Sequence, residues 1–139
     1  MTIRYRIHEG LRLVVTQYLN TVTDDTFVSS YEHLLNDPAM QPGFSELVDL
    51  SEAENLKITS AGMQKAGRLI ETFLRGQSEG MRTAVFAPFD RGFGLARMYE
   101  MLNDRSTESV MVFRDLDEAM RWLGKDPVPL SGLHGEDES

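Results

Sequence analysis

FSELVDLSEAENLKITSAGMQKAGRLIETFLR, residues 44–75, passes from one kind of periodicity into another. FSELVDL (44–50) is a short, mostly apolar run of strand length, set off by the breaker-rich DPAMQPG (37–43). From Ser60 to Arg75 the repeat is helical. Met63, Ala66, Leu69, Ile70, Phe73 and Leu74 share one face, while Gln64, Lys65, Arg68, Glu71, Thr72 and Arg75 share the other. The stretch between reads as an irregular loop ending at Thr59–Ser60. Either hydroxyl can cap the helix by accepting from a free backbone N–H. Strand, loop and helix in this order are the unit of a parallel sheet.

The same alternation extends in both directions. Ile3, Tyr5 and Ile7 alternate with Arg4, Arg6 and His8, as in a strand with one wet face near a sheet edge. Glu9–Gly10 is a turn signal, and LRLVVTQY (11–18) completes an antiparallel hairpin. Asp24 or Asp25 caps a helix running to Asn36, with Phe27, Val28, Tyr31, Leu34 and Leu35 as its apolar stripe and His33 opposite. Downstream, RTAVFA (82–87) reads as a strand, 90–104 as a helix, SVMVF (109–113) as a strand and DLDEAMRWLG (115–124) as a helix closed by Gly124. The order β-β-α-β-α-β-α-β-α predicts an α/β fold. Its sheet is mostly parallel, entered by an N-terminal antiparallel hairpin and flanked by helices. Residues 1–124 form the domain, and 125–139 are expected to be an acidic, disordered tail.

Composition narrows the function. A chain of 139 residues with 41% hydrophobic content can bury a substantial core. The absence of cysteine excludes disulfides, thiolate metal sites and a thiol nucleophile. MTIRYRIHEG lacks the apolar centre of a signal peptide, and no apolar run approaches the ~20 residues of a membrane span. A cytoplasmic protein without stable membrane insertion is expected. Lys and Arg number 14 against 22 for Asp and Glu, a formal charge of −8. Such a surface repels phosphate backbones, so the expected partner is a protein or a small apolar ligand and not nucleic acid.

Chemistry finds little support. His8, His33 and His134 share no ligand spacing and read as surface residues, so no metal is expected. No GxSxG elbow is present. FDRGFGLARM (89–98) places Gly92 and Gly94 at a strand-to-helix junction, without the third glycine of a dinucleotide loop or a Walker lysine. Tight packing of the helix start accounts for these glycines. Asp49 closes its strand as a receiver aspartate would, but the first strand ends in a hairpin and not in metal-binding acids. No cofactor and no catalytic constellation are expected.

Asp49 and Ser51, followed by Thr59, Ser60, Ala61 and Gly62, resemble the STAS domain of anti-sigma-factor antagonists. In that family Asp-x-Ser at a strand end leads into Asp-Ser-x-Gly at a helix start. The resemblance places the phosphoacceptor on Ser60, with Thr59 standing where the family has Asp and offering a second hydroxyl. It makes Asp49, Ser51 and Gly62 parts of a switch loop. GFGLARMYEML (92–102) and VFRDLDEAMRWL (112–123) resemble the SpoIIAA-like subgroup related to CRAL-TRIO lipid-binding domains. The resemblance covers residues 1–124. It implies a SpoIIAA-like fold and a non-catalytic regulatory or protein-interaction module. The alternative it implies is a small apolar-ligand or lipid carrier, to which the eight methionines, with their adaptable packing, also point.

The helix over 90–104 adds a separate expectation. Leu95, Met98, Tyr99 and Leu102 form its core face, leaving Phe93 and Met101 on the other side around Arg97. Phe, Met and Arg together have interface composition. A homodimer anchored by Phe93 is expected. Trp122, off the stripe of Leu116, Ala119, Met120 and Leu123, is expected to be half-exposed.

Overall fold

The computed structural model describes residues 2–77, 80–102 and 108–134. Strand β1 (Ile3–His8) turns through a 3-10 segment into β2 (Leu13–Thr23), which is followed by α1 (Asp24–Leu35), β3 (Ser45–Lys57) and α2 (Ser60–Leu74). Then come β4 (Met81–Phe86), α3 (Asp90–Leu102), β5 (Glu108–Phe113), α4 (Leu116–Trp122) and a short α5 (Leu130–His134). The five strands lie side by side in chain order, β1 antiparallel to β2 and the rest parallel. This is the α/β architecture that the alternating periodicities predict.

Strand period two divides the sheet into two faces. Val14, Tyr18, Val48, Val85 and Val110 meet α1, α2 and α3 in the larger core. Leu13, Val15, Leu47 and Ala84 meet Ala119 and Met120 of α4 and Leu133 of α5 in a smaller one. Placement of all three parallel crossover helices on one face agrees with the uniform handedness of such connections. Gly124, at φ 78°, closes α4 as expected. The Gly124 N–H donates to Arg121 O and the Lys125 N–H to Met120 O, a Schellman pattern.

Two expectations about the extent of the elements fail. Strands β2 and β3 do not stop at Tyr18 and Leu50. Leu19–Thr23 pairs with Glu52–Lys57 beyond the reach of β4, through two register shifts. Asn20, at φ 57°, takes the left-handed conformation beside one of them. Glu and Asn have weak strand preference, and pairing with β2 overrides it. The supposed switch loop is therefore mostly strand.

The disordered tail is the second correction. Residues 130–134 form α5, and Leu133 is 1% exposed. Its carbonyl bonds His8 Nε2 at 2.7 Å, so His8 is not a free surface histidine. The buried apolar contact outweighs a local composition that signals disorder. Residues 135–139, and Asn103 and Asp104 of the expected third helix, lie outside the described residues.

Candidate functional site

Helix α2 starts as a capped helix should. Thr59, in extended conformation, accepts from the Gly62 N–H at 3.3 Å. The acid that accompanies it comes from elsewhere in the chain. Asp24, first residue of α1, accepts from the Thr59 N–H at 2.8 Å and from the Thr59 hydroxyl at 2.6 Å. Asp24 is thus not the α1 cap that the sequence suggests; Thr23 holds that position. A Cβ on Gly62 would overlap the Asp24 carboxylate, so the glycine is there to admit it. Thr59 and Ser60 are both exposed, and Ser60 is the first helical residue.

Asp49 and Ser51 do not join this cluster. Asp49 points to the opposite sheet face, is 0% exposed, and accepts from the Ser51 N–H at 2.9 Å. Its second oxygen meets His134 Nε2 at 2.9 Å. His134 is therefore a part-buried partner of Asp49 and not a tail residue. The expected switch-loop residues are divided between the two faces of the sheet.

A row of polar groups on the α1–α3 face was not foreseen. Glu46 is 0% exposed and accepts from the Thr16 hydroxyl at 2.7 Å and the Tyr31 hydroxyl at 2.8 Å. Glu108 is 1% exposed and accepts from the Thr83 hydroxyl at 2.6 Å and the Tyr99 hydroxyl at 3.1 Å. Glu46 and Thr83 are register partners, so the row runs continuously from β2 to β5. Burial raises the pKa of both acids against the opposing effect of these hydrogen bonds. Glu108 is pushed up to about 7, burial acting first and the Glu46 charge adding to it. The signal was present in the sequence. Glu46 shares strand parity with Val48 and Leu50, and Glu108 with Val110 and Val112.

Helix α3 differs from its wheel. Ala96 and Tyr99 are buried, while Met98, Met101 and Leu102 are exposed at 37%, 68% and 41%. Phe93 is half-buried, packed on the larger core, with the Arg114 guanidinium 4.3 Å above its ring and Arg114 in turn bonded to Asp90 at 2.7 Å. It has an intramolecular cover and so is a poor anchor for a second chain. Arg97 pairs with Glu100 at 3.4 Å. Gly92 packs tightly, since a Cβ there would lie 3.3 Å from Leu50, whereas Gly94 faces open space. Trp122 is half-buried against Phe113.

No protein-family model and no curated protein matches the chain. Among solved structures it is similar to an uncharacterized protein of the DUF3478 family with a SpoIIAA-like fold, from Shewanella loihica PV-4. The two share 16% identity with a TM-score of 0.56, over 87% of this chain and 93% of the other. The fold is SpoIIAA-like. At that identity the likeness reaches the architecture and no further. Among the described residues no helix is long and apolar enough to cross a membrane. No group of three or more His, Cys, Asp or Glu among them is placed to hold a metal ion.

Proposed function

We propose that this chain is a non-catalytic, STAS-type binding module for a protein partner, with the start of α2 as its switchable surface. The observation that carries the reading is the Asp24 carboxylate seated on Thr59 and against Gly62, beside exposed Ser60. A helix start favours negative charge, and here one carboxylate already takes that place. A phosphoryl group on Ser60 or Thr59 brings roughly −1.5 to −2 charges to the same spot. The two anions compete, and Asp24 gives way. Because Asp24 begins α1, its release alters the α1–α2 surface that a partner meets. Glu46, Asp49 and Glu108 are each 0–1% exposed, so these acids lie away from the surface at the start of α2.

The test is phosphosite mapping by mass spectrometry on the full chain isolated from its own cells, with Ser60→Ala and Ser60→Asp in parallel. A phosphoryl group on Ser60 or Thr59 is expected, with partner affinity differing by roughly tenfold, about 1.4 kcal/mol, between the two variants. An unmodified chain under all growth conditions, with equal partner affinity for both variants, would overturn the reading.

A further inference from the structure

Strand β1 forms one edge of the sheet, with β2 as its neighbour on one side. The Thr2 carbonyl accepts from the Leu19 N–H at 2.7 Å, and the antiparallel register alternates from there. Thr2, Arg4, Arg6 and His8 thus turn their backbone groups toward β2, while Ile3, Tyr5 and Ile7 turn theirs outward. An outward row of N–H and C=O groups is a template for one more strand. The opposite edge is less open. There Val112 turns away from β4, and its N–H donates to Glu100 of α3 at 3.3 Å.

A cleft flanks β1 on each face of the sheet. On the α1 side the cleft is open and holds about 660 Å³. Its far wall is the polar stripe of α1, Asp25, Ser29 and His33 at successive turns with the Thr26 and Ser30 hydroxyls beside them. On the other side Arg4, Arg6, Gln17 and His134 border a smaller cleft of about 80 Å³. Two guanidinium groups and an imidazole meet there with no carboxylate in the lining, although the chain carries a formal charge of −8. An added strand would alternate its side chains between the two clefts. Those toward α1 meet hydroxyls and mixed polar groups, which suits threonine or serine. Those on the other face lie beside Arg4 and Arg6, which suits Asp or Glu. A second copy of this chain does not suit. Its β1, running antiparallel, would set Arg4 against Arg6, and like charges directly opposite are destabilising.

We propose that the outer edge of β1 takes up an extended segment of a partner protein, with acidic residues at every second position beside Arg4 and Arg6. Occupation of this edge does not require phosphorylation at the start of α2. Amide-resolved NMR of the full chain, titrated with a capped peptide of alternating threonine and glutamate, tests it. Saturable shifts of the Ile3, Tyr5 and Ile7 amides are expected. The same peptide with lysine for glutamate should bind at least roughly tenfold more weakly, and Arg4→Glu should narrow or reverse that preference. N-methylation of the peptide residues whose amides face β1 should abolish binding, and N-methylation of the alternate set should spare it. The threonines face β1 in an antiparallel arrangement and the glutamates in a parallel one. If Arg4→Glu does not fold, the peptide comparisons on wild type decide alone. Equal binding of the two peptides, shifts away from β1, or binding that survives both N-methylations would each overturn the proposal. So would Ile3, Tyr5 and Ile7 amides already protected from exchange without peptide, covered by a second copy or by another part of the same chain.

Discussion

The carboxylate of Asp49, at the centre of the sheet, and the imidazole of His134, 85 positions later, meet at 2.9 Å. Asp49 is 0% exposed, and its other oxygen is held by the Ser51 N–H. The last helix thus completes the hydrogen bonding of a buried acid in the sheet. His134→Ala should cost about 1–3 kcal/mol, the penalty for leaving a buried polar group short of a partner. Urea unfolding reads this directly, and an unchanged midpoint with unchanged slope would show that the pair does not form in solution.

Removal of residues 130–139 should be worse than the loss of His134 alone. Leu133 is buried at 1%, and its carbonyl bonds His8. Deletion of such a leucine from a core costs about 2–5 kcal/mol. Thermal unfolding of the truncated chain should reveal a loss in that range. A melting temperature equal to that of the full chain would return α5 to the status of a tail.

At α2 the expected effects run against helix propensity. Gly62→Ala should gain about 1 kcal/mol by propensity alone, yet its methyl overlaps the Asp24 carboxylate and breaks the bonds to Thr59. Net destabilisation is expected, and Asp24→Gly in the same chain should reverse its sign. Thr59→Ala should lose about 1 kcal/mol as a cap. Ser60→Ala, at an exposed first helical position, should stay within about 0.5 kcal/mol. Denaturant midpoints for the four variants separate these outcomes.

Glu108 gives stability a pH dependence of definite sign. Its folded pKa, about 7, is raised above the ordinary 4.5, so the folded state binds more protons between those values. The stability tied to its neutral form is complete below about 4.5 and is lost as pH rises through about 7. Glu46 acts in the same direction. Full expression of the Glu108 shift corresponds to about 3 kcal/mol. Unfolding free energies of wild type and Glu108→Gln across this window should diverge, the variant being flatter. Parallel curves would place the titration elsewhere.

Phe93 and Met101 should separate folding from association. Phe93→Asp puts a charge where the ring packs on the core beneath Arg114, and it should lower the melting temperature clearly. Met101 is 68% exposed, so Met101→Asp should leave stability within about 0.5 kcal/mol. Sedimentation velocity on Met101→Asp then reports association through α3 without a folding defect. If Phe93→Asp melts like wild type, Phe93 is a surface residue after all.

The order of strands and helices was legible in the sequence because each element repeats its burial at its own period. Ile3, Tyr5 and Ile7 reveal a strand, and Met63, Ala66 and Ile70 a helix, without reference to any other segment. A capping hydroxyl at Thr59 or Ser60 and the closure at Gly124 were legible for the same reason, since both act within a few residues of themselves; that Thr59 is the one that caps came from the structure. The contacts that define the candidate site do not. Asp24 reaches Thr59 across 35 positions, Thr16 reaches Glu46 across 30, and Thr83 reaches Glu108 across 25. Parity placed both glutamates on an apolar face, but only the tertiary structure supplies the hydroxyls that make a buried acid tolerable there. It also decided the continuation of β3 and the docking of α5, since a weak strand former or a short apolar turn gains its stability from the surface it meets and not from its own sequence.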